Sequence, residues 1–239
     1  MIIFYAQNIN DNTALITGED MRHCSKVLRK RPGDTIILID GEGWFYEATI
    51  TGMERDYCQA SINRKWKGYE RPYKLEIAIS PVKNPSRFEW FVEKAVEIGV
   101  DTIVPLICSR TEKRNVKMQR LKNIVISASK QSLKAKFALI KEPLEYGNYL
   151  SRVGSDGTFI AHLNENTGYF GKMIVPRADV TILIGPEGDF TPEEIKAALD
   201  KGIKPVSLGA SRLRTETAGI VACQIVNTVN ELYNEDANS

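Results

Sequence analysis

Thr181-Ile182-Leu183-Ile184-Gly185-Pro186-Glu187-Gly188-Asp189-Phe190-Thr191-Pro192-Glu193-Glu194 is the stretch of this chain from which a fold can be read. A β-branched and apolar run of strand length meets a Gly-Pro-Glu-Gly turn. A helix start follows. Thr191 suits an N-cap, Pro192 the first helical position, and Glu194 completes a capping box. Strand, tight turn and helix are the parts of a parallel α/β sheet. Ligands in such sheets bind beyond the carboxyl ends of the strands, where this turn falls. Gly185 and Gly188 let backbone groups approach a ligand with no Cβ in the way. An ordinary β–α turn also uses glycines, and the stretch matches neither a Walker loop nor a dinucleotide fingerprint.

The arrangement repeats downstream. A strand over Pro205-Val206-Ser207-Leu208-Gly209 leads into the loop Ala210-Ser211-Arg212-Leu213-Arg214 and then a helix. Thr215 or Thr217 can cap that helix, and Glu216 suits the positive end of its dipole. Ala218, Ala222, Ile225, Val229 and Leu232 fall at four- and three-residue steps and form one seam, read as a core-packing face or a dimer surface. Core packing does not account for two arginines and a glutamate crowded between a strand end and a helix start.

Further strands are expected over 75–79, 102–106 and 158–163, with helices over 86–98 and 117–132. Ser86 and Glu89 have capping-box spacing, and Gly99 is a plausible stop for that helix. This alternation predicts a mainly parallel α/β sheet. The first seventy residues read differently, with short strands over 2–6, 14–17, 35–40, 45–52 and 57–63. One helix, 19–29, interrupts them and is stopped by Pro32-Gly33-Asp34. That pattern suggests a small β-barrel. The polar, turn-rich segment 65–72 reads as a boundary, giving expected domains 1–70 and 73–239. The polar tail 234–239 reads as frayed.

The chain has 239 residues, 43% hydrophobic and 26% charged, as in an ordinary soluble globular protein. No apolar run reaches the roughly eighteen residues of a membrane span, and the N-terminus does not read as a signal peptide. Cys24, Cys58, Cys108 and Cys223 are scattered singly, which fits reduced thiols in a cytoplasmic protein. His23 and His162 lie far apart without an acidic or cysteine cluster, so no metal is expected. The net charge is +2, but its distribution is uneven. Arg110, Lys113, Arg114, Lys117, Arg120, Lys122, Lys130, Lys134 and Lys136 are interrupted by one acid, Glu112, a local excess of +8. Such a segment is either a phosphate-binding surface or a solvated helix face.

Ile184-Gly185-Pro186-Glu187-Gly188, followed by Leu208-Gly209 and then Leu213-Arg214-Thr215-Glu216-Thr217-Ala218, resembles the signature of the ribosomal RNA uridine nitrogen-3 methyltransferases. These belong to the SPOUT, or trefoil-knot, superfamily. His23, Val27-Leu28-Arg29 and Gly33-Asp34 are similar to the start of the family's N-terminal barrel. Arg87, Trp90, Lys94-Ala95, Glu97-Ile98-Gly99-Val100 and Pro105 resemble its first helix and following strand, and Gln131-Ser132 falls where the family has a similar pair. Four places depart from the pattern. Asp189 stands where glycine is usual, and Ser211-Arg212 replaces the commoner Arg-Ile. Lys134 replaces an arginine, and Phe137 lies near where a proline is usual.

The resemblance implies an α/β SPOUT trefoil-knot domain with a mainly parallel sheet, preceded by a small PUA-like, RNA-binding β-barrel. Pattern reasoning alone would not propose a knot. The implied cofactor is S-adenosylmethionine, held by Leu163, Ile184, Gly185, Glu187, Gly188, Leu208, Gly209, Leu213, Thr217 and Ala218. The implied substrate is a uridine of 16S ribosomal RNA in the small subunit, and a homodimer is expected to complete the site. RNA contacts are expected from Lys26, Arg29, Arg87, Arg110 and Lys134. Methylation at ring nitrogen-3 requires that nitrogen to lose its proton. Arg214 is the expected stabiliser of negative charge on the base. Glu216 or Glu187 is the candidate proton acceptor, with helix capping and loop ordering as their structural alternatives. A ribose 2′-O-methyltransferase of the same superfamily and a catalytically inactive assembly factor are the rival readings.

Overall fold

A computed structural model describes residues 2–10, 12–162 and 167–236. Its contacts divide the chain into two units: Met1–Glu70 with Ile126–Phe137, and Arg71–Val125 with Ala138–Ser239.

The first unit contains β1 (Ile3–Tyr5), β2 (Asn8–Ile9), β3 (Thr13–Thr17), β4 (Thr35–Ile39), β5 (Trp44–Met53) and β6 (Tyr57–Lys67). They form one sheet in the order β1-β4-β5-β6-β3-β2, antiparallel except for the β1–β4 pair. Alternation along the strands sends Phe4, Ile16, Leu38, Ile50 and Cys58 into one core. That core is closed by Met21 of α1 (Gly18–Arg22) and by Cys24. A second cluster gathers Ile3, Ile39 and Phe45 around Ala135. The helix expected over 19–29 is not continuous. After α1 the chain forms a π-helical turn, His23–Val27, and Arg29 then adopts a left-handed φ of 54°. The segment 65–72, expected to be a boundary, is strand over its first three residues. Lys65, Trp66 and Lys67 belong to β6 and pair with Tyr46, Phe45 and Trp44. Trp66 stacks on Phe45 at 5.5 Å, a cross-strand aromatic contact that holds this polar run in the sheet.

The second unit follows β7 (Leu75–Ile79), α2 (Pro85–Ile98), β8 (Thr102–Ile107), α3 (Met118–Gln131), β9 (Leu139–Ile140), β10 (Leu144–Glu145) and α4 (Tyr146–Arg152). It continues through β11 (Thr158–Ala161), β12 (Gly168–Tyr169), α5 (Phe170–Met173), β13 (Val180–Ile184), α6 (Pro192–Asp200), β14 (Lys204–Ser207) and α7 (Thr215–Asp236). The residues of α3 are shared between the two units. The sheet runs β10-β8-β7-β13-β11-β14-β12, with β9 beside β8, and every pairing is parallel. Such strands are covered on both faces, which is why Ile77, Ala78 and Ile79 in succession are fully buried. β14 is separated from β13 by β11, yet α7 packs on β7, β13 and α2. The chain therefore doubles back past β11 before forming its last helix.

Local signals hold in part. The capping box of α6 is present, with Thr191 and Glu194 in reciprocal bonds. At α2 the cap is Asn84, whose side chain accepts the Ser86 N–H at 3.0 Å, with Pro85 in the first turn. The helix thus starts one residue earlier than the Ser86 spacing suggested. The strand expected over 158–163 ends at Ala161, and α7 extends through Asp236. Residues 237–239 lie outside the described residues. Among the described residues no helix is long and apolar enough to cross a membrane.

Candidate active site

In the second unit a cavity of about 320 Å³ opens at the carboxyl ends of the adjacent strands β13, β11 and β14. Each strand supplies residues near its carboxyl end or in the loop that follows. Ala161 and His162 come from β11, Ile184, Gly185, Pro186, Glu187 and Asp189 from β13, and Val206, Leu208 and Gly209 from β14. Ser211, Arg212, Leu213, Thr215 and Ala218 close the wall. The volume lies at the lower end of the range for small-molecule sites.

The loop after β13 is held from several sides. Thr215 Oγ1 donates to the Gly185 carbonyl at 3.0 Å, tying it to the start of α7. A Cβ on Gly185 would lie 3.0 Å from Phe190 Cδ2, and Phe190 is buried, so the loop packs tightly only with glycine there. Glu187 Oε1 accepts the Lys83 N–H at 3.0 Å, and Arg110 Nη1 donates to the Gly188 carbonyl at 2.7 Å. Below the loop Glu194 is buried with its carboxylate fully used. Oε1 accepts from Ser109 N and Oγ, and Oε2 from Thr191 N. Gly209, at φ 134°, carries the second loop through a conformation that side chains avoid.

Asp189 has a left-handed φ of 63° and turns Oδ1 onto the Phe190 N–H at 2.8 Å. Its Oδ2 lies 3.6 Å from His162 Nδ1, a buried atom with no hydrogen-bond partner among the described residues. The wall thus combines open backbone at two glycines, the apolar side chains Ile184, Val206, Leu208, Leu213 and Ala218, and few charges. Apolar walls with a few placed polar groups suit a small-molecule ligand.

The cavity brings together Ile184, Gly185, Glu187, Leu208, Gly209, Leu213 and Ala218 of the residues expected from the sequence. Gly188 and Thr217 are off its wall, and Leu163 lies outside the described residues. Arg214 is exposed and also off the wall, and its carbonyl accepts the Ala218 N–H at the start of α7. Thr215 is itself the first helical residue and spends its hydroxyl on Gly185 rather than on a cap. Glu216 is buried, and Arg87 Nε lies 3.9 Å from its Oε1, so two residues given separate roles form one ion pair. Ala161 and Val206 join the site unannounced by any motif. Their signal is positional, since each falls at the carboxyl end of a parallel strand.

The basic segment changes meaning when folded. Lys130 pairs with Asp20, Arg120 with Glu89, Arg114 with Glu145 and Lys136 with Glu70. Much of the local +8 is therefore balanced by acids from other elements. Lys26 and Arg29 are exposed on and just after the π-helical turn, and Lys134 is half-buried. Among the described residues no group of histidine, cysteine and acidic side chains could hold a metal ion.

Residues 69–227 match the RNA methyltransferase domain, and residues 16–63 match the RNA methyltransferase PUA domain. The chain belongs to the RNA methyltransferase family. A probable rRNA-methyltransferase from Porphyromonas gingivalis is 40% identical, with a TM-score of 0.91 over 98% of this chain and all of that one. The ribosomal RNA small subunit methyltransferase E of Neisseria gonorrhoeae, solved bound to S-adenosyl methionine, is 30% identical. Its TM-score is 0.86 over 96% of this chain and 98% of its own. A curated relative of the same designation from Synechocystis sp. is 28% identical over 96% of this chain and 78% of its own length. The parallel sheet is thus a SPOUT methyltransferase fold, joined to a PUA-like β unit.

Proposed function

We propose that this protein transfers the methyl group of S-adenosylmethionine to ring nitrogen-3 of a uridine in the 16S RNA of the small ribosomal subunit. One observation carries the reading. Both signature loops, far apart in sequence, form a single cavity at three parallel strand ends and are bonded together through Thr215 and Gly185. The related enzyme from Neisseria gonorrhoeae holds S-adenosyl methionine. When bound, the cofactor supplies an electrophilic methyl group. Gly185 and Gly209 would leave backbone free to meet its polar edges, and Ile184, Leu208, Leu213 and Ala218 would flank its ring.

The remaining chemistry falls to side chains. Arg214 stands between the wall residues Leu213 and Thr215, at the positive end of α7. A guanidinium there stabilises the charge that uracil develops as its N3 proton leaves. Glu187 is on the cavity wall, whereas Glu216 is buried beside Arg87. We therefore assign proton acceptance to Glu187 and the ordering of Arg87 to Glu216. Residues 1–70 bind RNA, with Lys26 and Arg29 among the contacts, and residues 73–239 carry catalysis. The protein acts in the cytoplasm as a homodimer, using the exposed Leu232 and Tyr233 at the end of α7.

The test is methylation of small subunits from a strain lacking this protein, followed by mass spectrometry of the nucleosides. The expected product is 3-methyluridine. A methyl group on ribose, or no transfer, overturns the assignment.

A further inference from the structure

Among the described residues, Asp189 is the one non-glycine residue of the wall with a left-handed backbone. Its φ of 63° is the left-handed region that favours glycine, although aspartate is among the side chains that tolerate it best. One carboxylate oxygen serves the turn by accepting the Phe190 N–H. The other, Oδ2, lies 3.6 Å from His162 Nδ1, beyond hydrogen-bonding range. The side chain is 54% exposed and its residue lines the cavity. The turn alone would be served equally by asparagine, so the charge needs a separate account.

The charges on the wall supply one. Among the described residues the lining holds two carboxylates, Glu187 and Asp189, against one guanidinium, Arg212. Arg110 reaches the same loop at the Gly188 carbonyl without lining the cavity. Lys83 Nζ is engaged with Glu112 at 3.0 Å. The lining thus carries more negative than positive side chains, and Asp189 supplies one of its two negative charges.

The methyl donor and its product differ in one respect that such a wall can sense. S-adenosylmethionine carries a sulfonium and an ammonium against one carboxylate, so it is a net cation. S-adenosylhomocysteine has lost the sulfonium charge and is net neutral. A negative wall attracts the first more than the second, because Coulomb attraction is weakly screened in a cleft. We propose that Asp189 is a specificity-determining residue that makes the site favour the charged methyl donor over the demethylated product, and so limits product inhibition. This rests on the proposed binding of S-adenosylmethionine.

Titration calorimetry of the full chain with S-adenosylmethionine and with S-adenosylhomocysteine tests it, using wild type, Asp189→Asn and Asp189→Gly. Asparagine keeps the turn and loses the charge, and glycine keeps the backbone conformation and loses the carboxylate. Both variants are expected to weaken donor binding about five- to tenfold, the scale of one partly screened unit charge, while changing product affinity less than about twofold. In wild type the preference should also shrink as salt rises, an effect both variants lack. An unchanged ratio in Asp189→Asn overturns the proposal and leaves Asp189 as a turn residue. Equal weakening of both ligands overturns it too, by placing the carboxylate on a group they share. Wild-type protein that binds neither ligand overturns the cofactor reading instead, and this inference with it.

Discussion

The Thr215 hydroxyl donates to the Gly185 carbonyl across thirty positions of sequence. It joins the loop after β13 to the first turn of α7, so the two signature segments are bonded into one wall of the cavity. Thr215→Val removes the donor while keeping the shape and should cost about 1 kcal/mol. The larger effect is expected on S-adenosylmethionine affinity, measured by calorimetry beside thermal unfolding. Thr215→Ser, which keeps the hydroxyl, should bind nearly as wild type.

Arg214 is exposed at the start of α7 and is off the cavity wall. A role confined to the transition state predicts a specific split for Arg214→Ala. Turnover should fall by roughly a hundredfold or more, the scale of losing one fixed electrostatic stabiliser. Cofactor affinity should stay within about threefold. Single-turnover methylation and calorimetry on the same preparation check this, and undiminished turnover removes Arg214 from the mechanism.

Glu194 shows how the loop is held from below. Its carboxylate accepts from Ser109 N, Ser109 Oγ and Thr191 N, and its carbonyl accepts from the Tyr146 hydroxyl at 2.6 Å. Truncation leaves three part-buried donors, two on Ser109 and one on Thr191, without their acceptor. Glu194→Ala should destabilise by about 2–4 kcal/mol in urea unfolding, with Glu194→Gln retaining part of the network.

Gly219 lies in α7 where that helix crosses α2. An added Cβ would fall 2.5 Å from Phe91 Cε2 and 2.8 Å from Ile79 Cδ1. Both neighbours are fully buried and have little room to yield. Gly219→Ala should therefore cost about 1–3 kcal/mol of stability despite the better helix propensity of alanine, read from the unfolding midpoint.

The neutralised basic segment predicts a modest salt response. Lys113, Lys117 and Lys122 are exposed, whereas Arg114, Arg120, Lys130 and Lys136 face acids. If those three lysines meet phosphates, replacing them together by alanine lowers the slope of log affinity against log salt by about 2. Filter binding of 16S fragments at several salt concentrations checks this. An unchanged slope removes that face from the RNA contacts.

How much of this was legible beforehand divides by range. The strand at 181–184, the turn at Gly185 and the cap formed by Thr191 and Glu194 could be read because each is decided within a few residues. The apolar run, the glycine and the reciprocal cap bonds are all local chemistry. The family signature likewise lies in contiguous runs. The short strands β2, β9, β10 and β12 left no such trace, because two residues carry no periodicity.

Tertiary structure decided what depends on partners distant in sequence. Residues 126–137 group with the first unit because Ala135 and Phe137 pack among Ile3, Tyr5, Ile39 and Phe45. Lys65–Lys67 become strand because Trp66 finds Phe45 across the sheet. A run of nine basic residues loses much of its charge because Asp20, Glu70, Glu89 and Glu145 are brought beside it. Glu216 acquires Arg87 as its neighbour only once α7 packs on α2, and Asp189 comes within 3.6 Å of His162 only once β13 and β11 stand side by side. Local pattern chooses the elements, but Coulomb attraction and hydrogen bonding act through space, and the distances that govern them exist only after the sheet has assembled.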